Sequence, residues 1–134
     1  MNLNFATTFT VLPKHTNYMY PMIFGGSFFS EMDLCAASCV NRLLHDSECD
    51  SAVTHKFEGT FHAACECGDL VFLTAKITEL RKKAVVVKVT AFRERRGKAG
   101  RDHVADANFV FVTKKDGKFH PHGLEMPDGS HEES

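Results

Sequence analysis

Apolar residues recur along this chain with two different periods, and the change of period marks its long predicted helix. Over residues 27–44 apolar side chains return every three or four positions, which is typical of a helix with a broad buried face. These positions are Phe28, Phe29, Met32, Cys35, Ala36, Cys39, Val40, Leu43 and Leu44. The small residues Ala37 and Ser38 lie between them and indicate a helix largely surrounded by protein.

The other segments alternate in polarity or are rich in β-branched and aromatic residues, as strands are. They predict one strand before the helix and four after it, over residues 5–12, 51–58, 69–80, 84–93 and 103–113. The connections between the later strands are short, which favours antiparallel neighbours. An antiparallel sheet must bury one face, and a single helix is available to cover it. The pattern therefore predicts an α+β domain.

The same pattern predicts where the domain ends. Residues 1–114 are expected to form a single domain without internal repeats. Residues 115–134 are rich in Gly, Pro, His and charged side chains, which is typical of a flexible C-terminal tail.

Composition narrows the class of protein. The chain has 134 residues, of which 43% are hydrophobic, enough for one ordinary core. A formal net charge of −1 gives no general attraction to nucleic acid or to an anionic membrane. No apolar run approaches the roughly 20 residues of a membrane-spanning helix, and the first residues lack the features of a secretory signal. Five cysteines, an odd number, favour free thiols. We therefore expect a cytoplasmic protein.

The segment before and within the helix carries the candidate chemistry. Residues 13–26 pass from a polar turn at Asn17 through an aromatic loop to Gly25 and Gly26, which open the helix. Asp33 is predicted to lie in its first two turns. Glycines let a ligand approach the backbone, and free N–H groups at a helix N-terminus favour negative charge. This arrangement predicts a ligand-binding helix N-terminus.

Taken in order, these residues resemble a known family. The series V-L-P-K-H-T-N, I-F-G-G, M-D, F-E-G-T-F and C-G-D-L-V, between about residues 11 and 111, is similar to that of the hotdog-fold acyl-CoA thioesterases. The resemblance implies a long central helix wrapped by a five- to six-stranded antiparallel sheet. It also implies a homodimer joined at its sheet edges, in some members a tetramer or hexamer, with active sites at the dimer interface. The substrate would be an acyl-CoA, and no metal or other cofactor would be needed.

The resemblance further implies roles for individual residues. Asp33 corresponds to the helix aspartate that acts as general base or nucleophile. Asn17 corresponds to the asparagine that orients water or the thioester, and Gly26 to the glycine whose backbone N–H polarises the thioester carbonyl. Tyr20 and Pro21 stand where family members usually have a glycine.

Further residues are expected to contact the substrate. Gly25, Phe24 and Phe29 are expected to bind substrate at the helix start. Phe24 and Phe29, with Phe28 and Met32, predict an apolar pocket for the acyl group. A basic loop contains Arg93, Arg95 and Arg96, which could pair with the phosphates of CoA. The same loop could also be an ordinary solvated hairpin tip.

Several alternatives remain open from the sequence. A hotdog dehydratase or hydratase would place a histidine and an acidic partner at the site, where this chain has T-N and M-D. A non-catalytic acyl-CoA sensor or scaffold of the same fold is the second alternative, and the loop at residues 18–21 keeps it open. His62, Cys65 and Cys67 form an H-x-x-C-x-C cluster that could hold a metal, but an evident fourth ligand is lacking.

Overall fold

The computed structural model describes residues 1–16, 21–23 and 25–127. One long helix, α1, spans Gly25–Leu43. Two single turns of 3-10 helix lie at Pro13–His15 and Leu44–Asp46. The strands are β1 Asn4–Thr10, β2 Ser51–Phe61, β3 Leu70–Arg81, β4 Ala84–Glu94, β5 Asp102–Lys115 and β6 Lys118–Phe119.

The strands form an antiparallel sheet in the order β1-β3-β4-β5-β2, and the short β6 pairs with the end of β5. This order places β1 and β2 at the two edges. The apolar side chains of β3, β4 and β5 alternate, so one face of the sheet is buried against α1. The buried face of the helix carries Phe28, Met32, Cys35, Ala36, Cys39, Val40 and Leu43. The architecture confirms the predicted α+β fold, with one long helix covered by a five- to six-stranded antiparallel sheet.

Strand β2 continues three residues beyond its predicted end at residue 58. Gly59 was expected to begin an irregular segment, but it lies opposite Ala107 of β5 in the ladder. A Cβ atom on Gly59 would lie 2.8 Å from the carbonyl oxygen of Asp106 and 3.0 Å from the Cβ of Ala107. Glycine therefore stands here because the neighbouring backbone is too close for a side chain.

The boundary predicted at residue 114 is wrong for the residues that follow it. Strand β5 ends at Lys115, and Asp116 and Gly117 turn the chain back with positive φ angles of 52° and 79°. His122 is only 3% exposed, and its backbone carbonyl accepts a hydrogen bond of 2.7 Å from the Ser47 hydroxyl. The chain up to Pro127 therefore packs against the body of the domain, and residues 128–134 lie outside the described residues.

Candidate active site

Strand β2 lies along the N-terminal half of α1 and runs in the opposite direction. The Thr54 hydroxyl bonds to Asp33, the ring of Phe57 lies 4.4 Å from the ring of Phe29, and Phe61 reaches the first turn. At that end, the Phe61 ring lies 5.4 Å from the ring of Phe28. Thr54, Phe57 and Phe61 therefore all project towards the helix.

A β-bulge makes this arrangement possible. Residues three apart in a regular strand point to opposite faces of the sheet. Thr54 pairs with Phe111 and Lys56 with Val110, so His55 is an extra residue in β2. The extra residue reverses the alternation, and Thr54 and Phe57 consequently share one face.

Asp33 is the ninth residue of α1, half-buried, at the start of the third turn. The prediction that it lies within the first two turns is therefore wrong by about two residues, since two turns counted from Gly25 end near residue 31. Its Oδ1 atom accepts a hydrogen bond of 2.9 Å from the Thr54 hydroxyl. This bond ties one carboxylate oxygen to the edge strand and leaves the other available to a ligand or to water.

An apolar cavity of about 270 Å³ lies between the start of α1 and strands β2 and β5. Three residues of the predicted site line this cavity: Gly25, Gly26 and Phe29. Its remaining walls are Met32, Phe57, Gly59, Thr60, Phe61, Asp106 and Ala107. The structure therefore brings three predicted residues together around a space suited to an apolar group. Phe24 lies outside the described residues.

The glycine pair opens the helix, as predicted from the sequence. The N–H of Gly26 is among the first four of α1, which have no acceptor within the helix. Gly25 and Gly26 are exposed, and both border the cavity. A carbonyl oxygen that enters from this side can accept a hydrogen bond from the Gly26 N–H.

Asn17 lies outside the described residues, but the ends of its loop are fixed. Thr16 and Ile23 form an antiparallel bridge, and Met22 forms another with Glu66. The Ile23 N–H donates to the Cys65 carbonyl at 2.7 Å. The loop that carries Asn17 therefore starts and ends beside the segment that follows β2.

The three arginines of the basic loop differ in their surroundings. Arg93 is 8% exposed, and its guanidinium bonds to the Ala64 carbonyl and, at 3.3 Å, to Asp102. The expectation that Arg93 contacts substrate is therefore corrected, because its donors face into the protein. Arg93 instead fixes the segment after β2 against the β4–β5 connection.

Arg95 is also engaged within the protein. It binds both carboxylate oxygens of Asp69, at 3.0 and 2.8 Å. Asp69 also accepts the backbone N–H of Glu66 at 2.7 Å. Burial by itself raises the pKa of Asp69, but the bonds from Arg95 and Glu66 outweigh it and hold that pKa below its ordinary value.

Arg96 is exposed, and with its neighbours it forms a second, open depression of about 660 Å³. We call this depression the basic groove, and it is lined by Gly68, Leu70, Glu94, Arg95, Arg96, Lys98, Gly100 and Arg101. Among the described residues, none lines both the basic groove and the apolar cavity. The basic groove is thus a separate surface that could hold an anionic group.

The cysteine-containing cluster does not assemble as a metal site in the described part of the chain. Cys65 is fully buried, and burial raises the pKa of its thiol to about 11. Cys67 is exposed. His62 points instead towards Asp106 on β5, with 2.9 Å between its Nε2 atom and the carboxylate.

Thr54, Phe57 and Phe61 were not predicted from the sequence as site residues. Phe57 and Phe61 are four positions apart and share one face of the strand, but only the bulge at His55 brings Thr54 to that face, and it interrupts the alternation of polarity. The motif F-E-G-T-F did contain Phe57 and Phe61, together with the other two residues of β2 that line the cavity, Gly59 and Thr60. Nothing in the sequence around Thr54 indicated a role at the site, because a β-branched residue is ordinary in a strand.

The sequence model of the thioesterase superfamily matches residues 20–99. No curated protein matches the chain significantly in sequence. In the described part of the chain, no helix is both long enough and apolar enough to cross a membrane.

Solved structures with this fold include several acyl-CoA hydrolases. An acyl-CoA hydrolase from Staphylococcus aureus, in complex with butyryl coenzyme A, coenzyme A and coenzyme A disulfide, has a TM-score of 0.78 at 20% identity over 89% of this chain and 70% of its own. A hexameric thioesterase from Yersinia pestis has a TM-score of 0.75 at 22% identity over 90% and 93% of the two chains.

A hexameric broad-specificity acyl-coenzyme A thioesterase has a TM-score of 0.78 at 24% identity over 89% of this chain and 80% of its own. Variants of the S. aureus hydrolase with an aspartate, an asparagine or a threonine replaced by alanine share the fold as well. At these identities the likeness establishes the hotdog fold. Because the family match covers more than half of its length, the chain belongs to the thioesterase superfamily.

Proposed function

We propose that the protein hydrolyses acyl-CoA thioesters to a free carboxylic acid and CoA. The observation that carries the proposal is the placement of Asp33, Gly26 and an apolar cavity along one face of α1, in a chain of the thioesterase superfamily. The alanine variants of the S. aureus hydrolase support the choice of residue types, because this chain has an aspartate and a threonine in contact, Asp33 and Thr54, and an asparagine, Asn17, earlier in its sequence.

The proposed chemistry uses a carboxylate and a backbone N–H. Asp33 either takes a proton from the attacking water or attacks the thioester carbonyl carbon itself. Negative charge then develops on the carbonyl oxygen, where the Gly26 N–H stabilises it. A donor of this kind typically contributes about 2.7–4 kcal/mol. The C–S bond breaks, CoA leaves as a thiolate, and this thiolate takes up a proton. If Asp33 is the nucleophile, water then hydrolyses the mixed anhydride, which releases the carboxylic acid and restores the carboxylate. Asn17 would orient the water or the thioester.

The separation of the two groups supports a site shared between subunits. Gly26 and Asp33 are seven positions apart, about two turns, so they lie on the same face but about 10 Å apart along the axis. One thioester carbonyl cannot contact both within a single chain. We therefore propose that Gly26 of one subunit acts with Asp33 of another.

The edge strand β2 supports such an assembly. It ends the sheet with eleven residues, and Val53, Phe57 and Phe61 are 43%, 56% and 52% exposed. A long apolar edge of this kind is normally covered. Pairing of two β2 strands around a two-fold axis would continue the sheet and close the cavity beside it. Homodimerisation, with further assembly as in the hexameric neighbours, is the proposed state.

The two depressions suit the two halves of an acyl-CoA. The apolar cavity would accept the acyl group against Phe29 and Met32, with Phe24 as a proposed further contact. The basic groove would accept phosphates of CoA through Arg96 and its neighbours Lys98 and Arg101. Arg95 contributes positive charge to the groove while it remains bonded to Asp69.

The test is release of free thiol from acetyl-, hexanoyl-, palmitoyl- and benzoyl-CoA, followed with a thiol-reactive chromophore. We expect steady turnover with at least one acyl class. The alternative, a non-catalytic acyl-CoA sensor, predicts saturable binding in a calorimeter without thiol release. Binding without turnover on all four substrates would replace the enzyme proposal with the sensor.

A further inference from the structure

A second cluster of ionisable side chains lies beside the apolar cavity, and one of its members, Asp106, also lines that cavity. His62 follows strand β2, and His103 and Asp106 lie on β5. Each histidine has its Nε2 atom 2.9 Å from the same carboxylate oxygen, Oδ2 of Asp106. The potential ligand atoms of the three residues all lie within 4.8 Å of one another. The proposed hydrolysis does not use these residues.

A second β-bulge builds the cluster. His103 and Asp106 are three positions apart and would point to opposite faces of a regular strand. Ala105 pairs with Ala91 and His103 with Phe92, so Val104 is an extra residue in β5. Val104 and Ala105 are accordingly both buried. The bulge turns His103 to the face that carries Asp106.

The same bulge holds the third residue. The carbonyl of Val104 accepts the backbone N–H of His62 at 2.7 Å. The ring of His62 then lies 4.8 Å from the ring of His103, which is itself 5.1 Å from the ring of Phe92. Both imidazoles are therefore oriented by packing as well as by Asp106.

We propose that His62, His103 and Asp106 bind a divalent transition-metal ion such as Zn²⁺. Two imidazole nitrogens and one carboxylate oxygen form a common ligand set for such ions, and a fourth position stays open to water. Ligand atoms around a tetrahedral zinc at 2.0–2.1 Å are about 3.3 Å apart. The two 2.9 Å distances to Asp106 would therefore open by about 0.4 Å, and the widest separation in the cluster, up to 4.8 Å, would close by about 1.5 Å through small rotations of the exposed rings. The histidine side chains are 39% and 43% exposed, which gives an ion access from solvent.

Binding requires a change of tautomer. Without a metal, each histidine donates its Nε2–H to Asp106, which accepts both bonds. Coordination needs the lone pair of each Nε2 atom, so a neutral ring must move its proton from Nε2 to Nδ1, and a protonated ring must release its Nε2 proton to solvent. No electron transfer is involved. Hard ions such as Mg²⁺ prefer oxygen ligands, and the two imidazoles select against them.

The test is isothermal titration of Zn²⁺ into the full chain after treatment with EDTA, with Mg²⁺ as a comparison. We expect one zinc per chain with micromolar affinity and no comparable binding of Mg²⁺. His62→Gln and His103→Gln should each weaken zinc binding by roughly tenfold or more. Two controls should bind zinc like the wild type: His45→Gln, an exposed histidine elsewhere, and Cys67→Ser, the exposed thiol.

A second measurement does not depend on variants. In nitrogen-15 spectra of the wild type, zinc should shift the ring signals of His62 and His103 and leave those of His45 unchanged. The proposal is overturned if the wild type takes up no zinc in the micromolar range. It is equally overturned if His62→Gln and His103→Gln bind like the wild type, or if Cys67→Ser removes the zinc.

Discussion

At the scale of single residues, the proposed site depends on the contact between the carboxylate of Asp33 and the hydroxyl of Thr54. Their 2.9 Å hydrogen bond joins α1 to the edge strand. The bond fixes the orientation of the carboxylate, and with it the direction in which the second oxygen faces a water or a thioester. Thr54 touches Asp33 and not the reacting atoms, so its proposed role is to position the base.

Replacing Thr54 with valine tests this role, because valine keeps the branched shape and removes the hydroxyl. We expect kcat for thioester hydrolysis to fall up to about tenfold, the value of one ordinary hydrogen bond, with KM nearly unchanged. Thr54→Ser should recover most of the rate. A Thr54→Val protein with wild-type kcat would show that the bond does not matter to the reaction.

The ion pair of Asp69 and Arg95 determines how stability depends on pH at this site. The bonds from Arg95 and Glu66 hold the pKa of Asp69 below its ordinary value of 3.8, although burial opposes them. A carboxylate whose pKa is depressed in the folded state stabilises that state fully above its ordinary pKa. The contribution disappears as the pH falls through the folded value.

Asp69→Asn should therefore lower the free energy of unfolding by about 2 kcal/mol at pH 7, the value of hydrogen bonds to a charged group. The difference from the wild type should shrink towards zero as the pH falls below 3.8. Denaturant unfolding at a series of pH values measures both quantities. A difference that stays constant down to the lowest pH would contradict the assigned role of the charge.

At the scale of elements, polarity periods predicted most of the fold. The three-to-four-residue period predicted the end of the helix to within one residue, because Phe28, Met32 and the other buried positions lie on one regular stripe. The bounds of β3 and β4 were predicted to within one residue, whereas β1 ends two residues before its predicted end and β5 continues two residues beyond its own. β2 was cut short at Gly59, since a glycine in a sequence signals a turn unless the close approach of Ala107 is known.

Bulges limited the prediction of the site. The extra residues His55 and Val104 reverse the alternation of β2 and β5, and each brings together side chains that their spacing would separate. Thr54 and the His62–His103–Asp106 cluster were missed for this reason. Arg93 was misjudged for another reason: its charge suggested exposure, but its guanidinium has partners inside the fold at Ala64 and Asp102.

The close contact of β2 with β5 makes a prediction for Gly59. Gly59→Ala places a methyl group 2.8 Å from the Asp106 carbonyl oxygen, so backbone must move. We expect a loss of about 1–3 kcal/mol of unfolding free energy in denaturant titration. Gly25→Ala is the matched control, since its added Cβ would lie 3.6 Å from Phe61, an ordinary contact. Equal stability of the two variants would contradict the packing described for β2.

At the scale of the whole molecule, the exposed edge of β2 and the length of α1 point to the same assembly. The edge offers unpaired backbone groups and apolar side chains, and the helix separates Gly26 from Asp33 by about 10 Å. Two chains joined along β2 would cover these edges and would bring Gly26 of one chain close to Asp33 of the other. Assembly and catalysis are therefore coupled in this proposal.

Phe57→Lys tests that coupling, because it places a charge on the proposed interface. We expect the dimer to dissociate at least about tenfold more readily, since a like charge meets its copy across the axis. Turnover per chain should fall with the dimer population as the protein is diluted, a concentration dependence that the change of a cavity-lining residue would not by itself produce. Phe119→Lys on β6, where the phenylalanine is 63% exposed, is the control and should keep the wild-type assembly. Sedimentation velocity would contradict the interface if both variants assembled like the wild type.

Steady-state thiol release by Asp33→Asn tests most directly whether hydrolysis depends on the Asp33 carboxylate. The control is Asp46→Asn, which changes an exposed aspartate just beyond the same helix. Asparagine keeps the size of the side chain and its contact with Thr54 but can neither take up a proton nor attack as a carboxylate. We predict that kcat falls at least about a hundredfold in Asp33→Asn, with acyl-CoA still bound, and is unchanged in Asp46→Asn. Turnover by Asp33→Asn equal to that of the control would contradict the central claim that Asp33 carries the reaction.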